Sequence, residues 1–281
     1  MQYVEANGAK IPAIGLGTWE LRGRACARIV EQALRLGYRH IDTAQIYENE
    51  REVGEGVRAS GVKRGEVFVT TKVWTNHFAP HDLERSAKES LVKLRMSEVD
   101  LLLLHWPNPQ VPLAETLGAL AHAKQMGLAR HIGASNFTVA LLTEAVATCA
   151  EPLVCDQVEY HPYIDQTKVR QACAQHHIGL VAYSPIAKGA IKKDQTLKRI
   201  GWAHRKSPGS SLSALVGAAE CVGNPAHLAH RAAVGEPRHL RFHPVRRRNG
   251  RHFCVGKREW PADRLQFCAK MGLRRRVQPL C

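Results

Sequence analysis

Residues 37–54, GYRHIDTAQIYENEREVG, contain the polar side chains that decide the fold. Asp42 comes at the end of a short apolar run, and Tyr47 follows five residues later. Lys72 in VFVTTKVW and His105 in DLLLLHWP also come at or just past the ends of apolar runs that are typical of strands. Four such side chains converge only if the strands are parallel neighbours, because the carboxyl ends of parallel strands meet on one side of the sheet.

Segments typical of strands and helices alternate along residues 1–208. A strand pair around the Asn7-Gly8 turn comes first, and a glycine-rich loop, GLGTWEL, follows it. Apolar residues at helical spacing predict helices over residues 24–36, 49–59, 81–94, 113–126, 139–149, 166–176 and 194–205. The predicted strands between them are YRHID, VFVTTKV, VDLLLLH, ARHIGASN, LVCDQVEY and IGLVAYSP.

The predicted strands are apolar along their whole length, which is the pattern of a parallel sheet buried on both faces. An open doubly wound sheet and a (β/α)8 barrel both satisfy this pattern. A GxGxxG motif does not follow the first strand, which argues against a Rossmann domain. Polar residues at the strand ends can converge in a barrel, whereas along an open sheet they stay apart. We therefore predict an α/β fold, a (β/α)8 TIM barrel with an N-terminal β-hairpin.

The four polar residues together have the chemistry of a proton donor. A Tyr hydroxyl is a weak acid with a pKa of about 10, and a neighbouring Lys ammonium lowers that pKa by stabilising the phenolate. A buried Asp beside the Lys keeps the ammonium charged and oriented, and a His can hydrogen-bond the same substrate oxygen. Reduction of a carbonyl by hydride needs such a donor. The hydride must come from a cofactor, because no side chain carries one.

Each of these residues, taken singly, also has an ordinary structural explanation. An Asp after a strand is commonly a helix N-cap, and a lone Lys is commonly solvated. Ser135 and Asn136 suit a helix cap, and Tyr183 and the tryptophans suit a hydrophobic core. The joint spacing and order of the four polar residues favours a catalytic site.

On these motifs the chain resembles the aldo-keto reductase family. The family pattern around the catalytic Tyr is Gly-(Phe/Tyr)-Arg, then Asp, a small pair and Glu-x-x-apolar-Gly. It stands here as Gly37-Tyr38-Arg39, Asp42-Thr43-Ala44, Glu50 and Val53-Gly54. The Lys72 strand, LLHWP, GASNF, the Gln157 strand and AYSP also match. The resemblance covers residues 1–208 and is nearest to bacterial reductases that act on 2,5-diketo-D-gluconate and similar small carbonyls.

The resemblance implies NADPH-dependent carbonyl reduction with Tyr47 as general acid. The tetrad is then completed by Asp42, Lys72 and His105. The residues implied to contact NADP(H) are Gly17, Thr18, Asp42, Ser135, Asn136, Gln157, Tyr183 and Ser184. Among these, the nicotinamide carboxamide is held by Ser135, Asn136 and Gln157, the ring stacks on Tyr183, and the pyrophosphate touches Ser184. The apolar substrate pocket is implied to be lined by Trp19, Trp74, His105 and Trp106. The resemblance implies no metal, and a monomer.

The composition is that of a soluble globular protein, with 44% apolar and 23% charged residues among 281. The N-terminus lacks the pattern of a signal peptide, and no apolar run has the length of a membrane span. We therefore expect a cytoplasmic protein without a membrane partner. The eight cysteines include no CxxC pair and no zinc spacing, which favours buried or free thiols.

The last quarter of the chain has a different composition. The net charge is +5 over residues 1–208 and +10 over residues 209–281, and the latter contain no Ile, Thr or Tyr. A basic tail suits a nucleic-acid-binding protein, but this one has neither a recognisable module nor regularly spaced stacking aromatics, so we expect no nucleic-acid partner. A non-catalytic barrel scaffold is a third alternative, against which the complete tetrad argues.

A shift of the reading frame explains the tail better. With one extra base at the codons of Pro208 and Gly209, and with permissive synonymous choices, the other frame encodes a string that resembles the family's C-terminal part. That string contains a helix, a strand ending in Ile-Pro, the family's cofactor-phosphate pattern and a final LSDDEM helix. We therefore predict barrel units 1–6 in residues 1–208 and an out-of-frame, poorly ordered tail in residues 209–281. Such a barrel would lack units 7 and 8, leave its first and sixth strands as unpaired edges, fold poorly and bind little cofactor.

Overall fold

The structure, a computed structural model, describes residues 2–203 and 222–224. Two short antiparallel strands come first, β1 (Tyr3–Ala6) and β2 (Ala9–Pro12). Asn7 and Gly8 form the turn between them with φ values of 42° and 83°, the left-handed values that a type I′ turn requires. The Asn7 side chain donates a hydrogen bond to the Leu153 carbonyl. The predicted hairpin is therefore confirmed.

The main element is a sheet of eight parallel strands whose spatial order equals their order along the chain. The strands are β3 (Leu16–Gly17), β4 (His40–Asp42), β5 (Phe68–Val73), β6 (Val99–Leu104), β7 (Ala129–Ser135), β8 (Leu153–Glu159), β9 (Gly179–Tyr183) and β10 (Val222–Asn224). Every residue of β6 and β8 is buried, as expected for strands covered on both faces.

A helix follows each strand from β3 to β9. The described helices are α1 (Gly23–Arg35), α2 (Glu50–Ala59), α3 (Pro80–Leu94), α4 (Leu113–Gln125), α5 (Val139–Thr148), α6 (Thr167–Gln175) and α7 (Gln195–Ala203). Their bounds agree closely with the predicted ones. Helix α1 illustrates the reason, because its buried side chains recur at helical spacing: they include Cys26, Ile29, Val30 and Ala33.

Two details of the predicted strand assignment are wrong. Leu16–Gly17, predicted as part of a loop, is a strand that pairs with β4, so β4 is not an edge. Strand β9, also predicted as an unpaired edge, pairs in parallel with Val222–Asn224, which satisfies backbone groups that an edge would leave open. The remaining predicted tail, residues 204–221 and 225–281, lies outside the described residues.

Gly54 lets α2 approach the end of α3 closely. A Cβ atom at this position would overlap the backbone carbonyl of Leu94. Arg58 of the same helix donates a hydrogen bond to that carbonyl at 2.8 Å. Helix α2 is therefore fixed against α3, and with it the segment that precedes α2.

Candidate active site

The four predicted tetrad residues lie at the carboxyl end of the sheet. Asp42 is the last residue of β4, Lys72 is the next-to-last residue of β5, and His105 follows β6. Tyr47 ends a short 3₁₀ turn, Gln45–Tyr47, between β4 and α2. Because β4, β5 and β6 are adjacent and parallel, their carboxyl ends lie side by side.

The Lys72 ammonium is the centre of this cluster. Its Nζ atom lies 2.5 Å from Asp42 Oδ1, 2.9 Å from the Thr43 carbonyl oxygen and 3.4 Å from the Tyr47 hydroxyl oxygen. The Lys72 side chain is 0% exposed, and a Lys is almost never fully buried unless it is paired. The described contacts exclude the solvated-lysine and helix-cap explanations for Lys72 and Asp42.

Burial and charge oppose each other at Lys72 and Tyr47. Burial lowers the pKa of Lys72, but the neighbouring Asp42 and Tyr47 outweigh it, and the pKa is raised above its usual value. Burial also raises the pKa of Tyr47, and Lys72 lowers it by a smaller amount. Lys72 therefore acts in the predicted direction, but burial has the larger effect, and the pKa of Tyr47 is above its usual value.

His105 is buried beside the Lys72 ammonium and the rings of Tyr47 and Trp74. Burial lowers the pKa of His105 well below its usual value, and the Lys72 charge lowers it further. The imidazole is therefore neutral near neutral pH. Its ring centroid lies 5.7 Å from that of Tyr47 and 5.2 Å from that of Trp74, both edge to face.

A connected group of polar side chains lies at the ends of β7, β8 and β9. Ser135 Oγ donates to the Gln157 carbonyl at 2.7 Å, and Asn136 Nδ2 donates to Ser135 Oγ at 3.0 Å. The Tyr183 hydroxyl donates to Asn136 Oδ1 at 2.9 Å. Gln157 Nε2 donates to Asp42 Oδ2 at 2.7 Å, which joins this group to the tetrad.

The helix-cap explanation does not hold for Ser135 and Asn136. The N-cap of α5 is Thr138, whose side chain accepts the Leu141 N–H. Asn136 has a φ of 63°, a left-handed conformation that Asn tolerates better than most residues. Its amide faces the His105 carbonyl at 3.0 Å and not the helix.

The other predicted cofactor residues lie at two strand ends. Gly17 is part of β3 and is paired with Asp42. Thr18 donates to the Asp42 carbonyl from both its N–H and its hydroxyl, at 2.9 and 3.0 Å. Ser184 follows β9 and has a φ of 49°. All three lie at the same end of the sheet as the tetrad.

Two of the three predicted pocket tryptophans contact the tetrad. The Trp19 ring lies 4.9 Å from the Tyr47 ring, and Trp19 is 45% exposed. The Trp74 ring packs edge-on against His105. Trp106 directly follows His105 and is half-buried. The core explanation for the aromatic residues therefore fails for Trp19, which is open to solvent.

Three polar residues of the opening stretch were missed as site residues. Asn49 is fully buried and connects the Thr43 hydroxyl to the Thr18 carbonyl, at 2.7 and 2.8 Å. Glu50 accepts a hydrogen bond from Thr71, the neighbour of Lys72, at 2.6 Å. The third, Gln45, lies two residues before Tyr47. Glu50 is part of the family pattern, but no role was assigned to it, and the only sequence signal for Asn49 and Gln45 is their position beside Tyr47.

Comparison with known proteins agrees with this geometry. The sequence model described as the Aldo/keto reductase family matches residues 13–236. The methylglyoxal reductase DkgB of Escherichia coli O157:H7 is 44% identical over 207 residues, which cover 73% of this chain and 78% of that protein.

Solved structures give the same result for the fold. A protein provisionally named 2,5-diketo-D-gluconic acid reductase B matches with a TM-score of 0.78 and 45% identity, over 80% of each chain. A Bombyx mori aldo-keto reductase, solved in complex with NADP, matches with a TM-score of 0.75 and 32% identity, over 83% of this chain and 85% of its own. The predicted barrel class is thereby confirmed.

Two further findings concern residues 2–203 and 222–224 alone. No helix in these ranges combines the length and the hydropathy needed to cross a membrane. In the same ranges, no three or more His, Cys, Asp and Glu side chains are grouped as a metal site would require.

Proposed function

The chain belongs to the aldo/keto reductase family, and we propose that it reduces the aldehyde or ketone group of small substrates with NADPH. The observation that carries this proposal is the fully buried Lys72 ammonium, 2.5 Å from Asp42 and 3.4 Å from the Tyr47 hydroxyl. An ammonium held in this position stabilises the phenolate that remains when the Tyr47 hydroxyl gives up its proton.

Tyr47 would donate its proton to the substrate oxygen as that oxygen gains negative charge. Its raised pKa keeps the phenol protonated near neutral pH, so the proton is available when the alkoxide forms. The Lys72 ammonium then stabilises the phenolate that remains, and Asp42 keeps the ammonium charged. His105, which is neutral, would hydrogen-bond the same oxygen without transferring a proton.

The polar group at the ends of β7 to β9 suits a nicotinamide carboxamide. A carboxamide has both donors and acceptors, and Ser135, Asn136 and Gln157 offer hydroxyl and amide groups that act as both. Tyr183, anchored through its hydroxyl to Asn136 at 2.9 Å, offers a ring face for stacking. When bound, NADPH supplies the hydride that adds to the carbonyl carbon. NADP rather than NAD is supported by the family and by the NADP complex of the Bombyx mori relative.

The proposed substrates are small carbonyl compounds, such as the keto-sugar acid 2,5-diketo-D-gluconate. The names of relatives support this class, because they include a methylglyoxal reductase and a provisional 2,5-diketo-D-gluconic acid reductase. The aromatic rings of Trp19 and Trp74, which contact Tyr47 and His105, suit the apolar part of such a substrate. The cytoplasmic location, the monomeric state and the absence of a nucleic-acid partner stay predictions.

The test is NADPH consumption, with a panel of small aldehydes and keto-sugars, by a chain whose reading frame is restored after residue 208 as proposed below; the variants are made in that chain. Tyr47→Phe removes the proposed acid and is expected to abolish turnover while NADPH binding, measured by fluorescence quenching, is kept. Tyr38→Phe is the matched control, because Tyr38 is a partly buried core residue; it should keep full activity. Turnover by Tyr47→Phe at the wild-type rate would contradict the proposed mechanism.

We also propose that residues 209–281 arise from a changed reading frame. The described strand Val222–Asn224 supports this, because with permissive synonymous choices the other frame reads Ser-Ala-Ile followed by Pro over residues 222–225. The printed sequence instead has Gly223 and Asn224 in that strand, two residue types that are depleted in strands.

Sequencing the gene across the codons for residues 206–210 tests this. An intact frame, with no extra base relative to close relatives, would refute the proposal. The printed chain and a frame-restored chain should then be compared for NADPH fluorescence quenching. We expect micromolar-range binding only from the restored chain.

A further inference from the structure

Side-chain amides tie neighbouring loops together at the carboxyl end of the barrel. Each of these hydrogen bonds, here called ties, joins an Asn or Gln side chain of one loop to a backbone group of a neighbouring loop. The ties are Asn49 Nδ2 to the Thr18 carbonyl (2.8 Å), Gln45 Oε1 to the Trp74 N–H (2.9 Å), Asn108 Nδ2 to the Thr75 carbonyl (3.0 Å) and Asn136 Nδ2 to the His105 carbonyl (3.0 Å). The loops that follow β3 to β7 are therefore linked in series.

Gln45 differs from the other ties because it also binds a helix. Its Nε2 atom lies 2.6 Å from Ser86 Oγ, 3.0 Å from Ser90 Oγ and 3.1 Å from the Ser86 carbonyl oxygen. Both serines belong to α3, one turn apart, and both are buried. One half-buried amide thus joins the 3₁₀ turn, α3 and the loop after β5.

Gln45 is linked to two residues of the candidate active site, Tyr47 and Trp74. Tyr47 follows it by two residues in the same 3₁₀ turn. Gln45 Oε1 accepts a hydrogen bond from the Trp74 N–H. The Trp74 ring in turn packs against the His105 ring, with 5.2 Å between their centroids. The Gln45 amide therefore ties the turn that contains Tyr47 to the backbone from which the Trp74 ring extends.

We propose that Gln45 is a positioning residue for the carbonyl substrate. By anchoring both Tyr47 and Trp74 to α3, it holds the space between Tyr47 and Trp74 at one width. The role rests on the proposed function, since it presupposes a carbonyl substrate in that space. Tyr47 keeps its contact with Lys72 when the Gln45 amide is lost, because Asn49 holds the same segment from the other side. The effect is therefore expected in substrate binding and not in the chemical step.

The first test measures hydrogen exchange of the Trp74 N–H by NMR, with no cofactor or substrate present. Gln45→Met keeps the side-chain length and removes every hydrogen bond, so the Trp74 amide should exchange about tenfold faster. The matched control is Gln166→Met, because Gln166 is also half-buried and donates to a backbone carbonyl, that of Glu159 at the end of β8, at 3.1 Å. In the control, exchange at Trp74 should not change.

The second test measures KM and kcat of the frame-restored chain and its variants, with the carbonyl substrate that the frame-restored chain reduces best. Gln45→Met should raise KM about tenfold and leave kcat within about twofold, whereas Gln166→Met should change neither. Ser86→Ala, which removes the partner at 2.6 Å from Gln45, should shift exchange and KM in the same direction by a smaller factor. It serves as the second variant if Gln45→Met does not fold.

The outcomes separate this inference from the proposed function. If the Trp74 amide exchanges at the wild-type rate in both Gln45→Met and Ser86→Ala, Gln45 does not hold the loop that contains Trp74. Faster exchange with an unchanged KM, or an equal fall in kcat, would overturn the positioning role. If the frame-restored chain with an intact Gln45 reduces no carbonyl, the proposed function is refuted. The role of Gln45 in substrate binding is then refuted too, whatever the exchange result.

Discussion

The free energy of unfolding of the wild type is expected to fall as the pH rises, because Asp156 is buried. Asp156→Asn is expected to remove this loss of stability. Asp156 lies in β8 and is 0% exposed. Its Oδ1 atom accepts the Phe137 N–H at 3.3 Å, and its Oδ2 atom has no hydrogen-bond partner among the described residues. A buried carboxylate with one weak donor and no cation is unfavourable.

The expected size of this change in the free energy of unfolding follows from the pKa of Asp156. Burial raises that pKa to about 7, against a smaller lowering by the Phe137 N–H. An Asp in the unfolded chain loses its proton near pH 4. Between these values the folded state holds a proton that the unfolded state has released, so the free energy of unfolding falls as the pH rises. A difference of about three pH units corresponds to about 4 kcal/mol.

The free energy of unfolding is measured by urea denaturation, monitored through tryptophan fluorescence, at several pH values from about 4 to about 8. The wild type and Asp156→Asn should be about equally stable at the lowest pH, where the acid is neutral. The variant should then gain up to about 4 kcal/mol over the wild type by pH 8, because the amide cannot ionise and its carbonyl still accepts the Phe137 N–H. A stability difference that does not change with pH would refute this reasoning.

Asp100→Asn is the matched control for the same substitution. Asp100 lies in β6 and is 5% exposed, but its carboxylate pairs with Arg64 at 2.7 Å and accepts the Val69 N–H at 2.9 Å. Because this substitution breaks a buried pair, the variant should be less stable than the wild type near neutral pH.

Three further predictions follow from the same geometry. Lys72→Met should lower the free energy of unfolding in urea by roughly 3–5 kcal/mol, because it leaves the Asp42 carboxylate buried without its cation; an unchanged midpoint would contradict this. The His105 ring resonances should not titrate between about pH 6 and 8 in NMR spectra, since burial and Lys72 lower the pKa of His105. Gly54→Ala should cost about 1–3 kcal/mol or more in thermal or urea unfolding, because the new methyl group overlaps the Leu94 carbonyl.

The sequence predicts the frame of the site well because that frame is built from local signals. Continuous apolar runs mark buried parallel strands, and Asp42, Lys72 and His105 follow such runs directly. Parallel order then places the three residues side by side. The hairpin at Asn7-Gly8 and the described helices were predictable for the same reason, since turn residues and helical spacing act over a few residues.

The features that the sequence did not predict depend on distant contacts. Strand β3 has two residues, too few for any periodicity, and exists through its pairing with β4. The Gln45 amide meets Ser86 across 41 positions of the chain. The sign of the pKa shift of Tyr47 required knowledge of its burial, since the nearby Lys72 alone argues for the opposite direction.

Neighbouring strands of the sheet are also consecutive along the chain. This order has a consequence for synthesis on the ribosome. Each strand from β4 to β9 pairs with the strand made just before it, so its pairing partner is already present when it is synthesised. Because a nascent chain emerges from its N-terminus, β4, β5 and β6 can pair before the residues beyond β9 are translated. A lesion in the later codons would therefore act on a chain whose first strands, with Asp42 and Lys72 already in contact, had come together.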